Sequence, residues 1–287
     1  MAAETDRHNE AADSSRLEPS SWFTLPAVIY LLVTTQIPLL ATLYFSLHSW
    51  NLLYPARPVR FVGIQNFVSL AMDDNFRLAG LNTILFTLVP VAGTLCVGLG
   101  FALLVNALTF GRGLAYVLLF TPFLIMETVT PIIWKNMILN PIYGLLNYWL
   151  SLVGLPAVDL ISNAPRLAVI VMIVWQWSPF MMLVILAGLQ SVGKDVKEAA
   201  RIDGAGAFDE FLHITLPHLV PYFAVGMLIE AILILPVFGP IYVATYGGPG
   251  NQSTNLMFAV FRVLTEQYEI GKAAAGGLIV ADRKSTR

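Results

Sequence analysis

Five apolar stretches long enough to cross a bilayer dominate the chain, at roughly 22–47, 79–107, 114–138, 166–190 and 218–240. A hydrocarbon core is spanned by about 20 apolar helical residues. Within lipid every backbone N–H and C=O must be paired internally, which leaves helices or a closed barrel. Here the apolar residues come in runs rather than alternating, and that selects helices. The expected fold is all-α, a polytopic membrane protein. Only 12% of the 287 residues are charged, against about 25% in soluble domains. A net charge of −2 offers no basic face to nucleic acid. The single cysteine, Cys96, excludes a disulfide framework within the chain and a thiolate metal cluster.

The ends and connections follow from composition. Residues 1–20 are polar and mixed in charge, as expected of a disordered tail. The run from Trp22 to Leu47 is too long for the core of a secretory signal, so it reads as the first span, with Pro38 inside it as a candidate kink. In the second span Gly98 and Ala102 form a small-residue pair that permits close helix approach. The loop 139–165 carries Tyr143 and Trp149, residues suited to a short interfacial helix. After about 240 a long loop holds Gly247-Gly248-Pro249-Gly250. A sixth span starts near Ile270 but meets Asp282-Arg283-Lys284 well short of the length a crossing needs. The sixth span is therefore expected to be truncated, and 282–287 to be a non-native tail. Charge does not set orientation: with the N-terminus inside, six basic residues fall on inner segments and seven on outer ones, leaving out the tail.

The segment 193–217 is the polar exception. Lys194 to Asp203 contains good helix formers and predicts about three turns. Ala199 and Ala200 leave room for another surface to approach. Gly204 and Gly206 break that helix, Phe208–His213 forms a second, and Pro217 suits the first turn of the fifth span. A helix, a glycine elbow and a helix fused to a span can carry a push on the loop into the membrane.

The spacing Glu198-Ala199-Ala200, three residues, Gly204, nine residues, Ile214, one residue, Leu216-Pro217 resembles the signature loop of ABC importer membrane subunits. Weaker pieces agree: Phe61-Val62-Gly63-Ile64-Gln65-Asn66-Phe67, Asn82-Thr83 and Gly247-Gly248-Pro249. Over roughly 20–280 the chain resembles the carbohydrate permeases of the maltose, glycerol-phosphate and polyol type. That resemblance implies a type I importer fold with a permease domain over 21–281 and a cytoplasmic tail over 1–20. It implies that Glu198, Ala199, Ala200, Asp203, Gly204, Ala205, Ile214, Leu216 and Pro217 couple to a separate ATPase dimer. ATP and Mg would sit on that partner, since no GxxxxGK[ST] phosphate loop occurs here, and this chain would bind no cofactor or metal. A second, related permease chain, an extracytoplasmic solute-binding protein and membrane lipid complete the implied partners, in a bacterial cytoplasmic membrane.

Polar groups inside a membrane are costly and normally face a cavity or a partner. Glu127, Gln176 and Glu230 are thus candidates for the substrate pathway, with Trp175 and Trp177 as ring faces for a sugar. Packing for the tryptophans and an inter-helix hydrogen bond for Glu230 are the competing roles. The maltose relatives carry sugar-contacting asparagines on the fifth span, whereas the matching Ile234–Val237 is apolar, which points to a smaller sugar or polyol. Two alternatives stand beside a sugar permease: an importer permease for an amino acid, phosphate or peptide, and a membrane-embedded enzyme. The histidines (His8, His48, His213, His218) form no HExxH, and no GxSxG elbow occurs.

Overall fold

The computed structural model describes residues 20–285; the expected tail at 1–20 lies outside them except for Ser20, and the side chains of 282–287 also lie outside them. The architecture is helical. Helix α1 (Ser20–Ser46) leads through a small hairpin, β1 (His48–Ser49) and β2 (Arg60–Phe61), to α2 (Gln65–Met72) and α3 (Asp74–Ala107). Helix α4 (Arg112–Leu124) is followed by α5 (Thr130–Ile133), which opens into a π turn at Trp134–Ile138. Short helices α6 (Leu145–Leu152) and α7 (Leu160–Asn163) precede α8 (Pro165–Ser191). The polar segment holds α9 (Lys194–Ile202) and α10 (Ala207–Glu210). A π turn at Phe211–Thr215 joins α10 to α11 (Leu216–Ile234) in one continuous rod. A third π turn, Ile241–Thr245, then α12 (Leu256–Thr265) and α13 (Ile270–Ser285) complete the described residues.

Among the described residues four helices have the length and apolarity of a membrane span: Thr24–Ser46, Asp74–Ala107, Pro165–Ser191 and the rod Ala207–Ile234. The third expected span is not one helix. It is interrupted at 125–129, between α4 and α5. Pro131 accounts for this, because its ring would strike the carbonyl four residues back, at Glu127, and it has no N–H to give. The fifth expected span ends early for the same reason, at Ile234, ahead of Pro236 and Pro240. Its start is earlier than expected, because the π turn carries the helix from Ala207 past Pro217. The long loop expected after the fifth span contains a helix: Asn255 caps α12, its Oδ1 accepting the Phe258 N–H at 2.9 Å. The last helix continues through Asp282 to Ser285, although its apolar part ends at Ala281.

Helices α3 and α8 form the central pair. A Cβ on Gly93 would sit 2.8 Å from Val174 Cγ2, and one on Gly98 would sit 2.9 Å from the Met182 N. Ala102, also buried, joins Met181, Met182 and Ile185 in the same core. The expected small pair, Gly98 and Ala102, therefore faces a neighbouring helix. The rod docks on α8 through Gly188, whose Cβ would fall 2.7 Å from Leu219 Cδ2, and Gly226, whose Cβ would fall 2.9 Å from Met181 Sδ. In contrast, α1 is exposed along its length from Thr24 to Leu40, an apolar rod suited to lipid.

The weaker family-like pieces turn out to be fastenings. Asn66 is buried and its Nδ2 donates to the Ser46 and His48 carbonyls at 2.8 and 3.0 Å, closing the end of α1. Asn82 Nδ2 donates to the Thr254 carbonyl at 2.8 Å, and Thr83 Oγ1 accepts the Leu256 N–H at 2.9 Å. Gly247, at φ 75°, turns where a Cβ would lie 2.8 Å from Phe258 Cε1.

Candidate functional site

The candidate site has two parts, a polar loop at one end of the bundle and a pair of helix breaks within it. In the loop, α9 ends in a left-handed residue, Gly204 at φ 87°. The Asp203 N–H reaches the Ala199 carbonyl at 3.0 Å, and the Ala205 N–H reaches back to Ala200 at 2.9 Å. That six-to-one closure with glycine just past the end is the Schellman motif, which satisfies carbonyls the helix leaves open. Gly206 then starts α10, its carbonyl accepting the Glu210 N–H at 2.9 Å. Glu198, Ala199 and Asp203 are exposed, Ala200 and Ala205 partly so. Beside them Val196, Ile202 and Phe208 also stand in the open. Ile214 is half-buried and Leu216 is partly covered, both within the rod. Pro217 lies ten positions inside the rod rather than in its first turn. Just before it the Leu216 N–H bonds to Phe211, five residues back, and this wider turn makes room for the proline ring.

Within the bundle, the break at 125–129 faces the break at 235–240. Glu127 Oε1 accepts the Phe238 and Gly239 N–H groups at 2.9 and 2.8 Å. These are free donors at the start of the helical turn that follows, where a carboxylate is favoured. The two segments touch backbone to backbone: a Cβ on Gly239 would come within 2.6 Å of the Glu127 carbonyl oxygen. Gln176 is buried in α8, and its Nε2 donates to the Ile125 carbonyl at 2.9 Å, satisfying the open end of α4. Asn255 is fully buried and donates from Nδ2 to the Val237 carbonyl at 2.6 Å. Glu127 thus holds the two unwound segments against each other, while Gln176 ties the first to α8 and Asn255 ties the second to the start of α12. Irregular backbone at membrane depth persists only where protein or a water-filled cavity covers it, and paired half-helix ends are a recurring setting for transported solutes.

The other candidates separate. Trp175 meets Trp134 edge-on at 5.8 Å, whereas Trp177 lies against Phe123 at 5.6 Å. Two positions along a helix turn the side chain by about 200°, so the two rings do not share a surface. Trp177 also packs on the core around Phe86 and Ile173. Glu230 is 0% exposed; Thr94 Oγ1 hydrogen-bonds its Oε2, and its Oε1 has no partner among the described residues. It is a tie between α3 and α11. Ile234 and Val237 are buried in the same core, so they pack rather than line a path. Asn255, Gly239 and Thr94 are site residues that the sequence analysis does not identify. Asn255 had a readable signal, an asparagine immediately before an apolar helical run. Gly239 and Thr94 had none, since their roles depend on helices distant in sequence.

Residues 96–281 match the family described as the binding-protein-dependent transport system inner membrane component. A probable ABC transporter permease of Sinorhizobium fredii is 36% identical over 261 residues, covering 91% of this chain and 84% of that protein. The trehalose/maltose transport system permease protein MalF of Thermococcus litoralis is 34% identical over 257 residues, covering 89% and 85%. In fold, the chain is similar to a chain of a bacterial ABC transporter involved in import of the polysaccharide alginate. The TM-score is 0.77 at 23% identity, over 96% of this chain and 94% of that one. These likenesses remove the reading of a membrane-embedded enzyme. The chain belongs to the family of inner membrane components of binding-protein-dependent transport systems, a multi-pass transport subunit with the type I ABC importer permease fold.

Proposed function

We propose that the protein is the permease subunit of an ATP-driven importer of a sugar or sugar alcohol. The observation that carries the ATP-driven part is the exposed loop, where Glu198, Ala199 and the Gly204 turn stand clear of the bundle with Val196, Ile202 and Phe208 uncovered. An ATPase dimer, holding ATP and Mg, docks on this loop and pushes it. A second, related permease chain completes the path, and an extracytoplasmic binding protein delivers the solute. The carbohydrate class is supported by the name of the Thermococcus litoralis relative. Within the chain, the facing breaks at 125–129 and 235–240, held by Glu127 and Gln176, are the part of the path we assign to the solute. Trp175, Trp177 and Glu230 are left out of that path, since their contacts are with Trp134, Phe123 and Thr94.

The test is uptake by a deletion strain, measured with radiolabelled trehalose, maltose and glycerol phosphate against an amino acid, phosphate and a peptide. Loss of a carbohydrate alone supports the reading, and loss of another class overturns the cargo. A Glu198→Lys chain that still drives ATP-dependent uptake overturns the role of the loop.

A further inference from the structure

The two roots of the polar loop are joined by a side-chain cluster that the transport reading leaves unexplained. Ser191 is the last residue of α8, and His218 and Tyr222 lie on α11. Ser191 Oγ lies 2.8 Å from the Gly188 carbonyl, 2.7 Å from His218 Nε2 and 2.9 Å from the Tyr222 hydroxyl. A serine hydroxyl has one hydrogen and two lone pairs. With the Ser191 hydrogen on the Gly188 carbonyl, which can only accept, and His218 in the tautomer that carries its hydrogen on Nε2, both lone pairs receive hydrogens from His218 Nε2 and the Tyr222 hydroxyl. All three contacts are then satisfied at once. In that tautomer the serine proton is held by a carbonyl and the histidine donates to the serine, an arrangement that suits a clasp rather than a nucleophile with its base. The cluster holds things together.

The packing beneath it agrees. The Tyr222 ring lies where a Cβ on Gly188 would be, 2.8 Å from its Cγ. Gly188 and Ser191 are three apart and share a helix face, so one side chain of α11 covers a whole turn of α8. The segment between, 192–217, contains α9, its Schellman turn and the start of the rod, from Ala207 through the π turn.

We propose that Ser191, His218 and Tyr222 are positioning residues that lock the inner ends of α8 and α11, so that a push on the loop moves both spans as one body. This rests on the reading of 193–217 as the ATPase contact. Without the lock, the inner ends of α8 and α11 are held by apolar packing of Leu219 and Tyr222 on Gly188, which carries no directional tie against sliding, so a push on α9 is taken up in part by relative movement of the two helices. With it, the loop is closed at its base.

The test uses the chain with Cys96 replaced by serine and spin labels at Ala187→Cys and Ala224→Cys. It is assembled with its partner permease and ATPase pair in lipid nanodiscs. The distance between labels is read without nucleotide and after trapping with ATP and vanadate. The lock requires one narrow distance, unchanged by trapping. Ser191→Ala and His218→Ala broaden it and make it shift on trapping. His218→Gln, which keeps an N–H donor, restores the narrow distance, and Tyr222→Phe, which keeps the ring, gives an intermediate width. A distance in the unmutated pair that changes on trapping overturns the proposal, as does a Ser191→Ala distribution identical to it. Failure of His218→Gln to restore the distance overturns the donor role. Failure of the coupling reading shows separately, as an ATPase that does not co-purify with the chain, while the nucleotide-free distances still report the clasp.

Discussion

At the scale of single residues, the breaks are held by hydrogen bonds whose loss has calculable consequences. Gln176→Leu leaves the Ile125 carbonyl buried without its donor, at a cost of about 1–3 kcal/mol. The expected result is a lower melting temperature in detergent with the ATPase still bound. Glu127→Gln keeps an oxygen for the Phe238 and Gly239 N–H groups, so uptake is expected to be largely retained. Glu127→Leu removes that oxygen and is expected to abolish uptake, which separates the hydrogen-bond role from the charge. Glu266 offers a pH test outside the membrane. The hydrogen bond from Arg262 Nε, at 2.9 Å, and secondly that from the Tyr246 hydroxyl hold its carboxyl below the ordinary range. A lowered folded-state pKa contributes stability above the unfolded value, about 4.3, and that contribution is lost as pH falls through the folded value. Amide protection at 245–269, corrected for the intrinsic exchange rate at each pH, should therefore fall as pH drops below about 4.3, and Glu266→Gln should show lower protection at neutral pH with little further change. Gln176 and Glu127 were legible as costly polar residues within apolar runs. What they bind was not, because Ile125 and Phe238 become partners only once Pro131 and Pro236 have broken helices in separate parts of the chain.

At the scale of elements, the loop and the central helix pair make different demands on glycine. Gly204 needs a left-handed backbone, so Gly204→Val costs about 1–2 kcal/mol and unties the Schellman closure to Ala200. The expected outcome is a folded chain that binds the ATPase weakly, read by co-purification. Gly98 needs space instead, with Met181 Cβ at 2.9 Å from where a Cβ would stand. Gly98→Leu overpacks α3 against α8 at about 1–3 kcal/mol and should lower stability while leaving an intact loop. The first of these elements was readable in outline, since helix propensity and two glycines bound α9 correctly to within a residue. The rod was not, because the sequence rule that starts a helix at proline places its beginning at Pro217, whereas a π turn carries the helix straight through. Proline was likewise informative about where the third and fifth apolar runs stop being helix, but hydropathy alone treats such a run as one element.

At the scale of the whole molecule, the question is whether the interrupted stretch from Arg112 to Ile138 crosses the membrane. If it does, Phe110 and Val196 lie on one side, and Tyr54 and Tyr143 on the other. Single cysteines at these four positions, with Cys96 replaced, should react with an impermeant maleimide in those two pairs. Labelling of Tyr143→Cys together with Phe110→Cys would show that the two pieces form a hairpin. Membrane character and the number of apolar runs were plain from composition. The orientation was not, as basic residues divide almost evenly between the two sides.

The π turn at Phe211–Thr215 acts on the rod as a phase plate acts on a wave. It adds one residue to a turn, so relative to a regular helix every face upstream is rotated against every face downstream by about 100°. The azimuth at which the Gly204–Gly206 turn meets the start of the rod is therefore set independently of the faces by which α11 seats on α8. Gaining or losing a single residue at this turn would change the direction of the loop while leaving the faces of α11 against α8 as they are.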